Sequence, residues 1–337
     1  MTENRMIEQL SLDEVEALAT DVLRRAGASE LAAQSVARST RLAERDGIRS
    51  HGLMYVPIYA EHLRCGKVDG MAEPEVELHS PAAVRVNALS GFAHPAVDAG
   101  FDAFVNRAQE FGISIMTLYN SYNCGVLGHH AERIADRGLM GLCFTNAPAS
   151  IAPWGGTTPV VGTNPFALGV PGEAGQSALV IDQSASAIAK SEIMLRAREG
   201  KAIEPGWAFD SKGRPTTDAA EALAGSMAPA GGYKGFGIGL MVELFAAALA
   251  GATLGKDASP FSGTVGGPPR TGQCFIAIDA NAISAGGFAP RVAALVEAIE
   301  TQDGTRLPGA RRAGNRADAD ANGVAVPTAL LERVINA

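Results

Sequence analysis

Three short apolar runs limit what this chain can become: Ile113–Leu118 (ISIMTL), Leu139–Asn146 (LMGLCFTN) and Ala178–Asp182 (ALVID). Each is too short for a buried helix and reads as a buried strand. Helical patterns over Val97–Phe111 and 129–138 lie before and between the first two, but a Gly-, Pro- and Thr-rich stretch from Pro153 to Gly172 precedes the third. A doubly wound parallel sheet needs regular strand–helix alternation, which this spacing lacks. The 39 glycines, without low complexity, add the expectation of many tight turns and close backbone approaches.

The N-terminal third reads as helices. Ser11-Leu12-Asp13-Glu14 is a capping-box sequence, and apolar residues recur at Leu12, Val15, Leu18, Ala19, Val22 and Leu23 before Gly27 stops the helix. A second helix is expected over Ser29–Glu44 with Leu31, Val36 and Leu42 on its apolar side, broken by Asp46-Gly47. The tripeptide Ser50-His51-Gly52 then falls just after a helix end, where a side chain can point into a cleft. A third helix is expected over Pro57–Arg64 and a short strand at Ala83–Val86. Further on, 183–199 reads as one helix, Met241–Ala250 as an apolar helix beginning near GGYKGFGIG, Gln273–Asp279 as a strand and Ala289–Thr301 as a helix. The polar stretch Ala313–Asn322 reads as a surface excursion before a last helix over 327–336.

Composition narrows the function classes. The chain has 337 residues, 47% of them hydrophobic, enough for one large domain or two smaller ones. A net charge of −8 argues against a nucleic-acid binder, which needs a basic surface. No run of 18 apolar residues calls for a membrane span. The start, Met1-Thr2-Glu3-Asn4-Arg5, lacks a secretory apolar stretch. Cys65, Cys124, Cys143 and Cys274 are scattered with no CxxC pair, so neither a zinc site nor a disulfide framework is expected. The expectation is a reduced cytoplasmic protein.

No GxGxxG follows an early strand, and no GxxxxGK[ST] exists. In GGYKGFG, Gly231, Gly232, Gly235 and Gly237 can expose backbone N–H groups to a phosphate at a helix start, with Lys234 adding charge. The plainer reading, a turn before a core helix, is slightly favoured. Asp182 ends an apolar strand, as a helix cap or as the orienting partner of a histidine. His51 is either a packing or surface residue or a proton donor, the role histidine fills best near neutral pH. His129-His130 has no nearby acid to complete a metal set and reads as helix surface or cofactor neighbour. Arg306-Leu307-Pro308-Gly309-Ala310-Arg311-Arg312 is a solvated basic turn or a clamp for phosphate or carboxylate.

Taken in order, SHG at 50–52, NSYNCGVLGHH at 120–130, GTNPFALGVP at 162–171, ALVIDQSAS at 178–186, GGYKGFG at 231–237 and RLPGARR at 306–312 resemble the type-2 malate/L-lactate (malate/L-sulfolactate) dehydrogenase family. The likeness covers nearly the whole chain and is nearest to the Δ1-piperideine-2-carboxylate/Δ1-pyrroline-2-carboxylate reductases. It implies an α/β, α+β-like fold distinct from the Rossmann type, with a largely non-parallel sheet in the cofactor domain. It divides the chain into an N-terminal helical, substrate-side region (1–115), a cofactor-binding domain (116–305) and a C-terminal segment (306–337) returning to both. It implies a homodimer that reduces cyclic 2-imino acids to L-proline or L-pipecolate with NADPH or NADH. The alternative is a 2-hydroxyacid dehydrogenase of the malate, lactate, sulfolactate or ureidoglycolate type. Either substrate is a small anionic 2-imino or 2-keto acid.

Residue by residue, the resemblance makes His51 the proton donor and Ser50 and Asp182 its relay partners. Asn123, Cys124, Gly125, Val126, Leu127, Thr163, Ser184, Ala185, Tyr233, Lys234 and the turn Arg306, Leu307, Pro308, Gly309, Ala310, Arg311, Arg312 become cofactor contacts. Two positions depart from the pattern. Tyr55 stands where many relatives carry an arginine for the substrate carboxylate, leaving Arg49 as a substitute anchor, and Tyr233 replaces a histidine often found before Lys-Gly. Other classes weighed are a ligand-binding protein that kept the fold and a hydrolase, the latter disfavoured because no GxSxG is present.

Overall fold

The computed structural model describes residues 7–172 and 177–337; the Met1–Arg5 stretch lies outside them. After strand β1 (Ile7–Leu10), the chain forms helices α1 (Leu12–Arg25) and α2 (Glu30–Arg45), then two 3-10 turns, Arg49–His51 and Leu53–Tyr55, and α3 (Val56–Arg64). The capping box is complete: Glu14 N–H donates to Ser11 Oγ at 3.2 Å, and Ser11 N–H to Glu14 Oε2 at 2.8 Å. Leu31 corrects its expectation, being 59% exposed. α2 instead packs Ala32, Ala33, Val36 and Ala37 inward, small residues that let it lie close against its neighbours.

β2 (Glu75–Ser80), β3 (Ala83–Asn87), α4 (Ala93–Phe111), β4 (Ile113–Ser121), α5 (Leu127–Ala135), β5 (Met140–Thr145), β6 (Phe166–Pro171) and β7 (Ser177–Gln183) follow. Next come α6 (Lys190–Arg198), the two-residue strands β8 (Ala208–Phe209) and β9 (Pro215–Thr216), α7 (Ala219–Ala224), β10 (Ser226–Met227) and α8 (Tyr233–Glu243). The chain ends with β11 (Thr271–Ile278), α9 (Ala280–Ile283), α10 (Phe288–Glu300), α11 (Ala310–Asn322), β12 (Val324–Pro327) and α12 (Thr328–Ile335).

Seven strands form one sheet in the order β2-β3-β4-β11-β5-β6-β7. Among the described residues, β3 and β4 are the one parallel pair of this sheet; every other neighbouring pair is antiparallel. The sheet is therefore largely non-parallel. α4 and α5 share one core with it, formed by Val84, Val86, Phe101, Phe104, Met116, Leu118, Ile134 and Phe275. Phe144, Val242, Ala246 and Cys274 form a second cluster with the turn after α8. The chain end comes back to its start: β12 pairs antiparallel with β1, and Leu331 and Val334 pack with Val15, Val22 and Val56.

Four elements differ from expectation. The helix expected over 183–199 begins only at Lys190, because Ser184–Ala189 is irregular chain, bridged at Ser186 to Pro229. The Gly- and Pro-rich stretch contains strand β6, whose Gly169 and Pro171 masked it. The apolar helix starts at Tyr233, within GGYKGFGIG as expected, but passes into a π-helical turn at Leu244–Leu249. It is no simple core helix, since Leu240, Met241, Leu244 and Leu249 are 41–56% exposed. Ala313–Asn322 is part of α11 rather than an excursion; its inward face carries Arg312, Asn315 and Arg316, so apolar periodicity could not reveal it.

Candidate active site

Two acids build the turn that carries His51. Asp46, the C-cap of α2, is fully buried. Arg316 of α11 forks onto it through Nε and Nη2, both at 2.7 Å, and onto Glu132 of α5 at 2.6 and 2.8 Å. Nε2 of His129 lies 3.1 Å from the same Asp46 carboxylate, and Asn315 donates to the Asp46 carbonyl at 2.8 Å. Burial alone would raise the Asp46 carboxyl; Arg316 and His129 outweigh it and hold it well below the usual carboxylate range. Glu44, one residue from the end of α2, accepts the Leu53 N–H at 2.7 Å. Burial pushes its carboxyl up, against the Leu53 N–H and the Arg49 charge. A Cβ on Gly52 would stand 2.1 Å from Glu44 Oε1, which is why glycine follows the histidine.

Between these anchors, Ser50 Oγ lies 3.0 Å from His51 Nδ1. With the hydroxyl donating, the neutral ring carries its proton on Nε2; this tautomer is assigned from the hydrogen bond. The ring of Tyr55 lies parallel to that of His51, centroids 6.4 Å apart at 6°. Burial disfavours the protonated imidazole, the charge of Asp182 favours it, and His129 adds to the disfavour.

Asp182 does not cap the helix that follows its own strand. It stands on β7 opposite Ala167 of β6, and its Oδ2 accepts the Gly128 N–H at 3.0 Å and Arg312 Nη2 at 3.1 Å. A Cβ on Gly128 would fall 2.7 Å from that oxygen, so glycine lets the first turn of α5 reach the carboxylate. Asp182 thus bears on His51 through its charge, while its hydrogen bonds go to α5 and α11.

On the Tyr55 side, Tyr59 donates its hydroxyl to Asn123 Oδ1 at 2.9 Å, and that oxygen also accepts the Gly125 N–H at 3.2 Å. Tyr55, Tyr59 and Tyr122 meet edge to face or as neighbours in one aromatic cluster with Phe92. Burial pushes the Tyr55 phenol up to about 12, so it stays a neutral donor. Cys124, Val126 and Leu127 are buried core residues, the thiol raised to about 12 by burial.

A second group forms beyond the end of β7. The Ala185 N–H donates to the Thr163 carbonyl at 2.8 Å, and the Ala230 N–H to the Ala185 carbonyl at 2.8 Å. Ser184 Oγ lies 3.0 Å from Ser186 Oγ. These bonds bring Thr163, Ser184 and Ala185 to the start of α8, where Tyr233 is 62% exposed beside Trp154 and Lys234 is exposed. Of the basic turn, Gly309 lies against Val180 of β7 and Arg312 turns inward; Arg306, Pro308, Ala310 and Arg311 are exposed, and Leu307 is half-buried. Arg49 is exposed as well. Behind the group, buried Asn164 donates to Glu243 at 2.7 Å and accepts the Ala147 N–H at 3.1 Å.

The geometry also involves Glu44, Gly128, Glu132 and Arg316, which no motif marks, and it gives Asp46 and His129 partners that their sequence neighbours do not reveal. Asp46 was legible only as a helix breaker, and Arg316 lay in a stretch taken as surface. The residues also suit an anionic dinucleotide. Among the described residues, Arg312 Nη1 is buried without a hydrogen-bond partner, and a Cβ at Gly231 or Gly237 would meet nothing within 4 Å, leaving the backbone open to close approach.

The malate/L-lactate dehydrogenase family model matches residues 10–335, and the chain belongs to that family of oxidoreductases. It is 42% identical over 326 residues to the Δ1-pyrroline-2-carboxylate reductase of Ancylobacter novellus, covering 96% of this chain and 95% of that one. It is also 42% identical over 307 residues to the (2R)-3-sulfolactate dehydrogenase (NADP(+)) of Chromohalobacter salexigens, covering 91% of each. The crystal structure of Δ1-piperideine-2-carboxylate reductase from Pseudomonas syringae pv. tomato superposes with a TM-score of 0.91 at 34% identity, covering 98% of this chain and 99% of that one.

Proposed function

We propose that this protein reduces cyclic 2-imino acids, Δ1-pyrroline-2-carboxylate or Δ1-piperideine-2-carboxylate, to L-proline or L-pipecolate with NADPH, or NADH in its place. The observation that carries the reading is a half-buried imidazole, His51, tied to Ser50 through Nδ1, facing the charge of Asp182 and lying parallel to an aromatic ring. Likeness to reductases of this substrate class over nearly the whole chain supports it.

The nicotinamide, when bound, supplies the hydride to the carbon that bears the carboxylate. His51 gives a proton from Nε2 to the imine nitrogen, so that C=N becomes CH–NH. The ring first takes a solvent proton at Nδ1, whereupon Ser50 Oγ turns from donor to acceptor, and transfer from Nε2 leaves it neutral with the proton on Nδ1. Asp182 favours the charged ring before transfer and so opposes the effect of burial. Arg312 holds Asp182 with one nitrogen and has another free for the cofactor's phosphates. Thr163, Ser184, Ala185, Tyr233, Lys234 and the stretch from Asn123 to Leu127 line the remaining contacts. The phenol of Tyr55 and the amide of Asn123 receive the substrate's carboxylate end. The exposed apolar face of α8 and the following turn suits a second copy of the chain, giving a homodimer.

A panel of Δ1-pyrroline-2-carboxylate, Δ1-piperideine-2-carboxylate, oxaloacetate, pyruvate and sulfopyruvate, read as NADPH and NADH oxidation, tests the reading. The imino acids should give the highest kcat/KM. The equal identity to a sulfolactate dehydrogenase favours 2-keto acid reduction as the second reading, and the highest kcat/KM on a keto acid would establish it.

A further inference from the structure

Two basic side chains that the mechanism does not use are completely buried. His62 of α3 and Lys67, just past the helix end, are each 0% exposed. The Lys67 N–H donates to the His62 carbonyl at 2.9 Å and folds the turn after α3 back on itself. Both side chains reach the same segment, 259–266, ahead of β11. Lys67 Nζ donates to the Pro260 carbonyl at 2.6 Å, and His62 Nε2 lies 3.1 Å from the Gly263 carbonyl. Ser259 Oγ donates to the Gly266 carbonyl and closes the segment into a loop. Residues 262–266 are exposed, Val265 to 83%. Phe261 packs inward instead, its ring 5.3 Å from that of Tyr122 at 65°.

These bonds have a direction. The Gly263 carbonyl only accepts, so His62 Nε2 carries the ring proton and Nδ1 accepts from the Tyr122 hydroxyl; the tautomer is assigned from these bonds. Burial, joined by the Lys67 charge, holds the ring neutral, as that tautomer requires. Among the described residues, the Lys67 ammonium has a carbonyl for partner and no carboxylate. Burying it that way costs free energy that an apolar contact would not, so the loop is held in place for more than cohesion. Tyr122 meets Tyr59 at 6.0 Å, Tyr59 meets Tyr55 at 4.7 Å, and Tyr55 lies parallel to His51. Four aromatic rings thus lead from the loop to the proposed proton donor, and a close-packed interior passes a displacement from one ring to the next.

We propose that His62 and Lys67 are positioning residues for the substrate: by clamping the 259–266 loop they seat Phe261 behind Tyr122, and that wall sets how large a group beyond the carboxylate-bearing carbon the site accepts. The proposal rests on the reading of the site beside His51 as one that reduces a 2-imino or 2-keto acid. Between the two cyclic imino acids the difference is one methylene, which a fitted apolar wall discriminates by about 10–200-fold.

The test compares the full-length wild type with Lys67→Met, His62→Gln and Phe261→Leu on Δ1-pyrroline-2-carboxylate and Δ1-piperideine-2-carboxylate. Methionine keeps the reach of lysine without its donors, and leucine thins the wall without touching the clamp. In Lys67→Met, amide hydrogen exchange over 257–267 should quicken by about tenfold or more. The kcat/KM ratio should move about fivefold or more toward the six-membered ring, through KM rather than kcat, with cofactor Kd within about twofold of wild type. Phe261→Leu should move the ratio equally without the faster exchange. His62→Gln, whose amide still offers a donor and an acceptor, should keep the wild-type ratio. A ratio unchanged in Phe261→Leu overturns the proposal, and that variant decides the matter where Lys67→Met fails to fold. Faster exchange in Lys67→Met with ratio and KM at wild-type values overturns it too, leaving the clamp purely structural. In a wild type active on keto acids alone, pyruvate and 2-oxobutyrate replace the imino acids in the same variants. Loss of the imino-acid reading and loss of this proposal are then separate results.

Discussion

At the scale of single residues, the account turns on how far neighbours decide what an ordinary side chain can do. His51 is legible in the sequence as a histidine after a helix end. Its setting is not, because Ser50 is adjacent while Asp182 and His129 arrive from 131 and 78 positions away. The sign of its pH dependence follows from the two opposing influences. Burial lowers the midpoint and Asp182 raises it, so reduction fails as pH rises through the His51 midpoint. Replacing Asp182 by Asn should move that alkaline limb to lower pH and cut kcat, read from kcat/KM between pH 5 and 9. Tyr55 is a neutral donor, so Tyr55→Phe should raise the KM for the imino acid about tenfold, the loss of one hydrogen bond to a charged group. Cofactor KM should not change; an unchanged substrate KM would remove Tyr55 from the carboxylate end. Lys234→Ala should raise cofactor KM alone. Arg312→Ala should lower kcat as well, since Arg312 also holds Asp182.

At the scale of elements, α11 carries the most weight for the fewest sequence cues. Arg312 and Arg316, one turn apart, fasten β7 and the end of α2 to one helix. Polar side chains on its inward face erase the apolar period that identified α1 and α2. Removing Arg316 leaves Asp46 and Glu132 buried without their fork, so Arg316→Leu should destabilise the fold by about 3 kcal/mol, measured by urea unfolding. A loss below about 0.5 kcal/mol would mark the fork as surface-like. Asp46 is held below its ordinary range, so its contribution is complete above about pH 4 and drains as pH falls. Wild-type stability should therefore drop on acidification through pH 4, and Asp46→Asn should flatten that drop. α6 and β6 were hidden for different reasons: the first by an irregular lead-in fixed through Thr163 and Ala230, the second by Gly169 and Pro171 within a strand.

At the scale of the whole molecule, the irregular spacing of strands and helices was enough to exclude a doubly wound sheet, and the observed order with a single parallel pair agrees. Strand order itself is not written locally: β11 enters between β4 and β5 from 150 residues downstream. The apolar run after Lys234 reads as core because hydropathy alone does not distinguish a protein interior from an exposed apolar face. Leu240→Asp with Leu244→Asp should convert a dimer to a monomer in light scattering after gel filtration; an unchanged mass would place the dimer contact elsewhere. The central claim is that His51 delivers the proton, and the most direct measurement is the turnover of His51→Gln on Δ1-pyrroline-2-carboxylate beside its cofactor affinity by fluorescence titration. The account predicts a fall in kcat of about 10²–10⁴-fold with cofactor Kd within about twofold of wild type. Turnover within a few-fold of wild type would contradict it.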